Sequence, residues 1–420
     1  MFVRRKRRGI RPSEIEELGE HLDLLEKAGG NYVRNTMSSR DEGNLWPFAK
    51  DGDLYDLAQW DDAYWNRFAT FLEETEKRGI IVQIEIWATF DYYRENWERN
   101  PFNPKNNKNY TAGESGLPVA VKTHPTRTEN NFFWSVPKEK DVEVVLKWQR
   151  AFVDKLLSYS LPRGNILYCM DNETSVTPEW GWYWSRYIRA AADAKGFHVE
   201  TTEMWDPWDL AHKMHNATFD RPEVFSFVDI SQNNHQKGQQ HWGNAQKQRQ
   251  RIESNVRPLN NVKIYGADGG RFGSTRDGIE RFCRNVFGGM ASARFHRPDS
   301  GLGLNRTAQG VIKSMRMLTD QLDLVACGPR NAVFGSRAEN EAYCLANPGT
   351  EAAVFFPDGG AVTLDLSDFD EDAEVEVAWL HILGSDWKRT RSIRLDSTHS
   401  RLELTAPGKG YWAALVQEGE

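Results

Sequence analysis

Apolar runs of strand length recur along this chain, most with a helix-length segment ahead of them, and that alternation limits its fold more than anything else. The runs are Ile80-Ile-Val-Gln-Ile-Glu-Ile-Trp87, Ile166 to Met170, Phe197 to Thr202, Val224 to Ile230, Val262 to Ala267 and Ala291 to His296. Asn31-Tyr-Val-Arg34 belongs with them, because it follows an amphipathic stretch, Ser13 to Ala28, that ends in the helix-stop pair Gly29-Gly30. Helices are expected over Trp65 to Lys77, Val142 to Ser158 and Tyr183 to Lys195. Counting Phe2-Val3 as an abbreviated opening strand gives eight strand–helix units, the pattern of a (β/α)8 TIM barrel with insertions. A doubly wound sheet competes, but no Gly-rich phosphate fingerprint follows any strand. The largest insertion, about Asp91 to Lys138, is rich in Asn, Pro and Thr, and a loop of that length in a domain is usually functional.

Beyond Leu324 the period changes to two. Asn340 to Ala346, Ala352 to Phe356, Ala361 to Leu366, Glu374 to Trp379 and Tyr411 to Val416 read as short strands, separated by turns such as Asn347-Pro-Gly349. The expected organisation is α/β: a (β/α)8 barrel over residues 1–326, then a small antiparallel β-sandwich over residues 327–420.

Composition narrows the function. A net charge of only −7 with 27% charged residues argues against nucleic acid or a membrane surface as partner. No run reaches the ~20 apolar residues of a membrane span. No apolar segment follows the basic stretch Arg4 to Arg8, so no secretory signal is expected in the chain as it stands, which reads as cytoplasmic unless its start was trimmed from an exported form. Cys169, Cys283, Cys327 and Cys344 lack metal or redox spacing and read as free thiols. Sixteen Trp, 13 Tyr and 21 Phe stand out: most are expected in the core or packing loops, with a handful lining a site.

Barrel enzymes carry their chemistry at the carboxyl ends of the strands. Those ends hold Arg34, Trp87 with Tyr93 beyond it, Asp171-Asn172-Glu173, Glu203 with Trp205 and Asp206, Gln232 to His235, Asp268, and His296. Glycosidic bond cleavage needs two carboxylates, one protonated to release the alcohol and one ionised to attack; in a retaining enzyme they lie about 5–5.5 Å apart. Glu173 is the expected general acid/base and Asp268 the nucleophile, with Arg34 holding Asp268 ionised. Arg34, Asn172, His235 and His296 would position the sugar, Glu203 would contact it, and Trp87, Trp205 and Tyr93 would offer stacking faces. Alternatives stand beside each. Asp171, Glu203 and Asp206 are rival acids, Arg34 could serve only a structural ion pair, and Asp268 precedes Gly269-Gly270 and suits a turn or cap. Asp171, Asn172 and Thr174 suit a cap equally. His235 and His296 lack a compact ligand set, so no metal and no cofactor is expected.

Asn172-Glu173 after an apolar strand resembles the Asn-Glu signature of clan A glycoside hydrolases, retaining (β/α)8 enzymes in which that Glu is the acid/base and that Asn meets the sugar's 2-hydroxyl. Arg34 matches the arginine those enzymes keep near the nucleophile. Gly29 to Met37, Trp97 to Pro104, Tyr343 to Gly349 and Phe356 to Leu364 resemble bacterial proteins that join an apiosidase-like barrel to a domain labelled collagen-binding. The resemblance implies a hydrolase of plant, algal or microbial polysaccharide fragments. It also shows a departure: where the clan has a Glu nucleophile, the chain reads Ala267-Asp268-Gly269. The implied alternative is a noncatalytic carbohydrate-binding barrel. Inverting hydrolysis and, last, metal-dependent hydrolysis are the remaining options.

Overall fold

The computed structural model describes residues 15–41, 43–124, 130–268, 272–395 and 400–419. The elements run α1 (Ile15–Lys27), β1 (Tyr32–Thr36), β2 (Phe48–Asp51), β3 (Leu54–Trp60), α2 (Asp62–Lys77), β4 (Ile81–Ala88), α3 (Arg94–Arg99), α4 (Ala112–Ser115), α5 (Glu143–Ser160), β5 (Ile166–Asn172), α6 (Pro178–Asp193), β6 (Glu200–Thr202), α7 (Asn216–Phe219) and β7 (Val228–Asp229). They continue α8 (Gly238–Arg251), β8 (Leu259–Ile264), α9 (Thr275–Phe287), β9 (Ser292–Phe295), α10 (Arg306–Thr319) and a series of short strands from β10 (Gly328–Pro329) onward. The chain divides into two units, Met1–Asp23 with Asn31–Gln232, and Leu24–Gly30 with Asn233–Glu420.

In the first unit, β1, β4, β5 and β6 form a parallel sheet in the order β1-β4-β5-β6. The two central strands, β4 and β5, are buried along almost their whole length, as a parallel sheet covered on both faces requires. One face carries polar groups that satisfy one another: Tyr32 donates to Gln83 at 2.6 Å, and Arg34 and Thr36 both bind Glu85. Helices α2, α5 and α6 supply aromatic packing from Trp65, Phe68, Phe152, Trp180 and Trp184. The β2–β3 hairpin is unexpected from the sequence. The described parts of the long insertion are held by asparagines that stand in for backbone partners: Asn103 donates to Trp97 O and Val119 O, Asn107 to Pro101 O, and Asn130 to Tyr92 O.

A closed eight-stranded ring is not found among the described residues. The expected opening strand at Phe2-Val3 lies outside them. The run Val224 to Ile230 keeps only two residues of strand, because Ser226 meets Thr201 through a side chain on one side and a backbone N–H on the other. Phe197 to Thr202 likewise contracts to three residues.

The second unit contains the parallel pair β8–β9 and a sheet-rich C-terminal region. Its strands after β10 are β11 (Tyr343–Asn347), β12 (Glu351–Phe356), β13 (Ala361–Asp365), β14 (Glu374–His381), β15 (Asp386–Arg394), β16 (Arg401–Thr405) and β17 (Trp412–Glu418). Six form an antiparallel sheet, β10-β11-β12-β17-β14-β15, and β13 pairs with β16. Alternate residues of β12 point to different cores. Val354 and Phe356 join Val362, Leu364, Leu402 and Leu404 of the β13–β16 pair, whereas Ala353 and Phe355 join Ile264, Phe282, Phe295 and Val311. The expected boundary at residues 326 and 327 therefore falls inside the second unit, across a shared apolar core. A buried ion pair and its hydrogen bonds reinforce it: Arg284 binds Glu280 and Asn340 at 2.9 Å each, and the Asn340 amide returns to Glu280.

Among the described residues no helix is long and apolar enough to cross a membrane. Cys169, Cys283 and Cys344 are buried free thiols, and Cys327 is free and half-buried. Phe355 is fully enclosed and packs 5.6 Å from Phe287. Replacing it with alanine is expected to cost about 3–5 kcal/mol in urea unfolding of the second unit. Amide protection should fall together in α9 and β12; a loss confined to β12 would contradict the shared core.

Candidate active site

Around the carboxyl end of β5 the first unit gathers most of its buried charge. Arg34 binds Glu85 through Nε at 2.5 Å, and its Nη2 donates to Oδ1 of Asn172 at 3.1 Å. Burial works against the charge on Arg34, but Glu85, and further out Glu173 and Asp229, outweigh it, and the guanidinium is held more firmly protonated than usual. The expected structural ion pair of Arg34 thus exists, and it is built with Glu85. The same guanidinium orients Asn172 next to Glu173.

Glu173 itself is half-buried and takes φ 58°. Few residues other than glycine adopt that left-handed conformation, and it turns the side chain away from the line of β5. Gln232 reaches its Oε1 at 3.4 Å. Burial raises the phenol of half-buried Tyr93, Arg94 and Arg40 oppose that, and Glu173 and Asp206 add to it, so these charges surround the ring. Tyr93 also lies 5.8 Å from Phe90 and 5.6 Å from His124, with Arg40 over the Phe90 face at 5.1 Å. Asp206 accepts from Ser175 at 3.5 Å.

Three expected contacts turn out to be interior. Trp87 is enclosed by Phe132, Phe152, Trp180 and Trp184 at 5.2–5.7 Å, so it presents no free face. Trp205 is buried with its N–H on Thr218 at 2.8 Å, whereas Trp208 three residues on is 61% exposed. Glu203 is 1% exposed and cannot meet a substrate directly; its Oε1 accepts the backbone N–H of Asp171 at 2.9 Å. Asp171 is equally closed off, holding the Trp180 N–H at 2.8 Å. Burial pushes both carboxyls well above the usual carboxylate range. The charge of Asp171 adds to the rise at Glu203 and that of Glu85 to the rise at Asp171.

In the second unit His235, His296 and Phe272 gather around Tyr265, with ring centroids 5.8, 4.8 and 5.3 Å away. Nδ1 of His296 meets Ser300 at 2.6 Å. Gly266 brings the loop after β8 onto the start of α9; a Cβ there would stand 2.5 Å from Cα of Gly278, so only glycine fits. That approach sets Asp268 against Thr275, whose N–H and hydroxyl both donate to it at 2.8 Å. These two bonds hold the exposed Asp268 carboxyl below its ordinary value. Among the described residues no cluster of His, Cys, Asp or Glu is arranged to hold a metal ion.

Tyr265, Arg40 and His124 were not among the residues expected at a site, and Gln232 was placed at a strand end with no role assigned. Their signal was faint: Tyr265 lies within the apolar run Val262 to Ala267, Gln232 just beyond another run, Arg40 six residues past Arg34 and His124 inside the insertion, and sequence spacing does not fix direction at any of these places.

No protein-family model and no curated protein matches this sequence. Solved structures do match. A glycoside hydrolase family 5 protein from Bacteroides vulgatus ATCC 8482 superposes with a TM-score of 0.65 at 13% identity, over 96% of this chain and 86% of that one. A second glycoside hydrolase gives 0.61 at 10% identity, over 96% and 89%. At such identities the likeness is one of fold, and the fold is the α/β architecture seen in family 5 glycoside hydrolases.

Replacing Arg34 with methionine would strand the buried Glu85 carboxylate, at a cost of about 3–5 kcal/mol by chemical denaturation. Adding Glu85→Gln should return much of that loss; a double variant no better than the single would contradict the pairing. The Asp171 and Glu203 carboxyls have raised values in the folded state, so they contribute stability that is present at low pH and lost as pH climbs from about 4 through those values. Glu203→Gln should therefore flatten the alkaline decline in unfolding free energy. A decline as steep as in the wild type would show that the pair titrates normally.

Proposed function

We propose that the protein is a glycoside hydrolase cleaving a polysaccharide or oligosaccharide with retention of anomeric configuration. The observation that carries the reading is Glu173, half-open at the carboxyl end of a parallel strand, in a left-handed backbone conformation, beside an Asn172 held by Arg34. A half-buried carboxyl near a buried cation and two carboxamides suits proton delivery to a glycosidic oxygen. In this scheme Glu173 protonates the leaving oxygen while Asp268 attacks the anomeric carbon. Glu173 then takes a proton from the water that releases the sugar. Thr275 keeps Asp268 ionised, as a nucleophile must be.

Asn172, Arg34, His235 and His296 are assigned to sugar hydroxyls. Tyr93 and the exposed Trp208 are assigned to sugar faces, in place of Trp87 and Trp205. The finer likeness, to apiosidase-like barrels with a C-terminal module labelled collagen-binding, belongs to this proposal too. A carbohydrate is the proposed partner, with no cofactor.

One observation favours a second reading, carbohydrate binding without cleavage. Both oxygens of Asp268 are already engaged by Thr275, as in a residue that only staples its loop to α9. Wild type, Glu173→Gln and Asp268→Asn tested on a panel of polysaccharides and aryl glycosides separate the two. Hydrolysis predicts that Glu173→Gln slows substrates with unactivated leaving groups by about 10²–10⁴-fold. Asp268→Asn should abolish turnover. Binding alone predicts glycan retention by all three proteins with turnover by none.

A further inference from the structure

Between β5 and β6 the parallel ladder is broken. Its last regular rung is Cys169 with Thr202, and pairing resumes only at Thr174 with Trp205. From one rung to the next the β5 chain takes five residues and the β6 chain three. The two extra residues make a bulge, a device that re-aims side chains at the cost of ladder hydrogen bonds. Glu173, with its left-handed backbone, sits in that bulge beside Asn172.

Something must hold the gap, and a side chain does. Oε1 of Glu203 accepts the N–H of Asp171 at 2.9 Å and that of Met204 at 3.1 Å, one from each chain. Above the gap, Thr174 N donates to Met204 O at 2.8 Å, and Asp206 N donates to Thr174 O at 2.7 Å. Room for the carboxyl comes from Gly181 in α6, where any Cβ would overlap Oε2 of Glu203. Oε2 of Glu203 and Oδ1 of Asp171 are both buried without a hydrogen-bond partner among the described residues.

We propose that Glu203 is the positioning residue of the Glu173 site: its carboxyl group replaces the missing rung and holds the bulge that aims Asn172 and Glu173. The inference rests on the reading of Glu173 as the acid/base and assigns that residue its support. Arg34, Glu85, Asp171 and Asp229, from β1, β4, β5 and β7, are among the charged or titratable groups around the site, with the Cys169 thiol beside them and Tyr92, Tyr93, Arg40, Arg94 and Asp206 further out. Burial, with the charges of Asp171 and Asp229, favours a neutral Glu203, and a neutral carboxyl needs no cation to stay in place. Glutamine, neutral and of the same length, keeps the accepting oxygen. Alanine removes it and leaves two buried N–H groups unmet.

The test compares wild type, Glu203→Gln, Glu203→Ala and Glu173→Gln by residue-resolved amide exchange, and by kinetics on aryl glycosides of graded leaving-group acidity. In Glu203→Ala the Asp171 and Met204 amides should exchange at least ~10-fold faster, with Leu167 to Cys169 unchanged. Its kcat should fall mainly on substrates with poor leaving groups, with KM and 2,4-dinitrophenyl glycosides little affected, and Glu203→Gln should restore both properties. Exchange that stays at the wild-type rate, or that rises uniformly along β5 and β6, overturns the proposal. A kcat loss equal for every leaving group does the same. A Glu173→Gln enzyme as fast as wild type overturns the functional reading instead, and the exchange rates then still decide whether Glu203 holds the bulge.

Discussion

The ion pair between Arg34 and Glu85 is the interaction on which the rest of the first unit depends. Glu85 lies in the most enclosed strand of the parallel sheet, and a carboxylate there is tolerable only with a cation and a hydroxyl on it, which Arg34 and Thr36 of β1 supply. The same guanidinium donates from Nη2 to Asn172, so the charge that makes the buried carboxylate possible also fixes the group next to Glu173. Desolvation, strand pairing and the orientation of Asn172 are coupled through one side chain. A second layer follows at β5–β6, where the Glu203 carboxyl accepts the Asp171 and Met204 N–H groups across the break in the ladder.

The second unit solves a different problem with the same economy. Its antiparallel sheet is apolar on both faces, one against α9 and α10 and the other against β13 and β16, so β12 and β17 are buried almost throughout. The C-terminal strands are therefore part of the core beneath β8 and β9. A residue boundary read from a change of periodicity marks a change of architecture, and the unit of packing is larger.

Much of the α/β alternation was legible because buried parallel strands need long apolar runs, and β4 and β5 have them, whereas β8, with Asn260, Asn261 and Lys263, shows only its second half. Period two in β13 and β14 was equally plain, since each has one buried face, whereas β15 and β16 were not among the strands read from the sequence. What could not be read was direction. Trp87 and Trp205 have the composition of sugar platforms but lie inside, and Trp208 is the one left open, because nothing in a Trp-rich segment says which ring the backbone turns outward. Glu203 looked like a substrate contact since it ends a strand; only the gap at Asp171 and the space at Gly181 reveal its bonds. Asp268 was read as nucleophile or cap, and its engagement by Thr275 depends on a loop approach that the glycine at 266 permits.

Glu173 as proton donor is the central claim, and azide rescue tests it most directly. A Glu173→Ala enzyme given 2,4-dinitrophenyl glycosides needs no acid for the first step but lacks a base for the second. Added azide should then restore turnover and yield a glycosyl azide of retained configuration, while wild type forms none. Unaltered turnover of activated and unactivated glycosides alike by Glu173→Ala, with no azide product, would contradict the account.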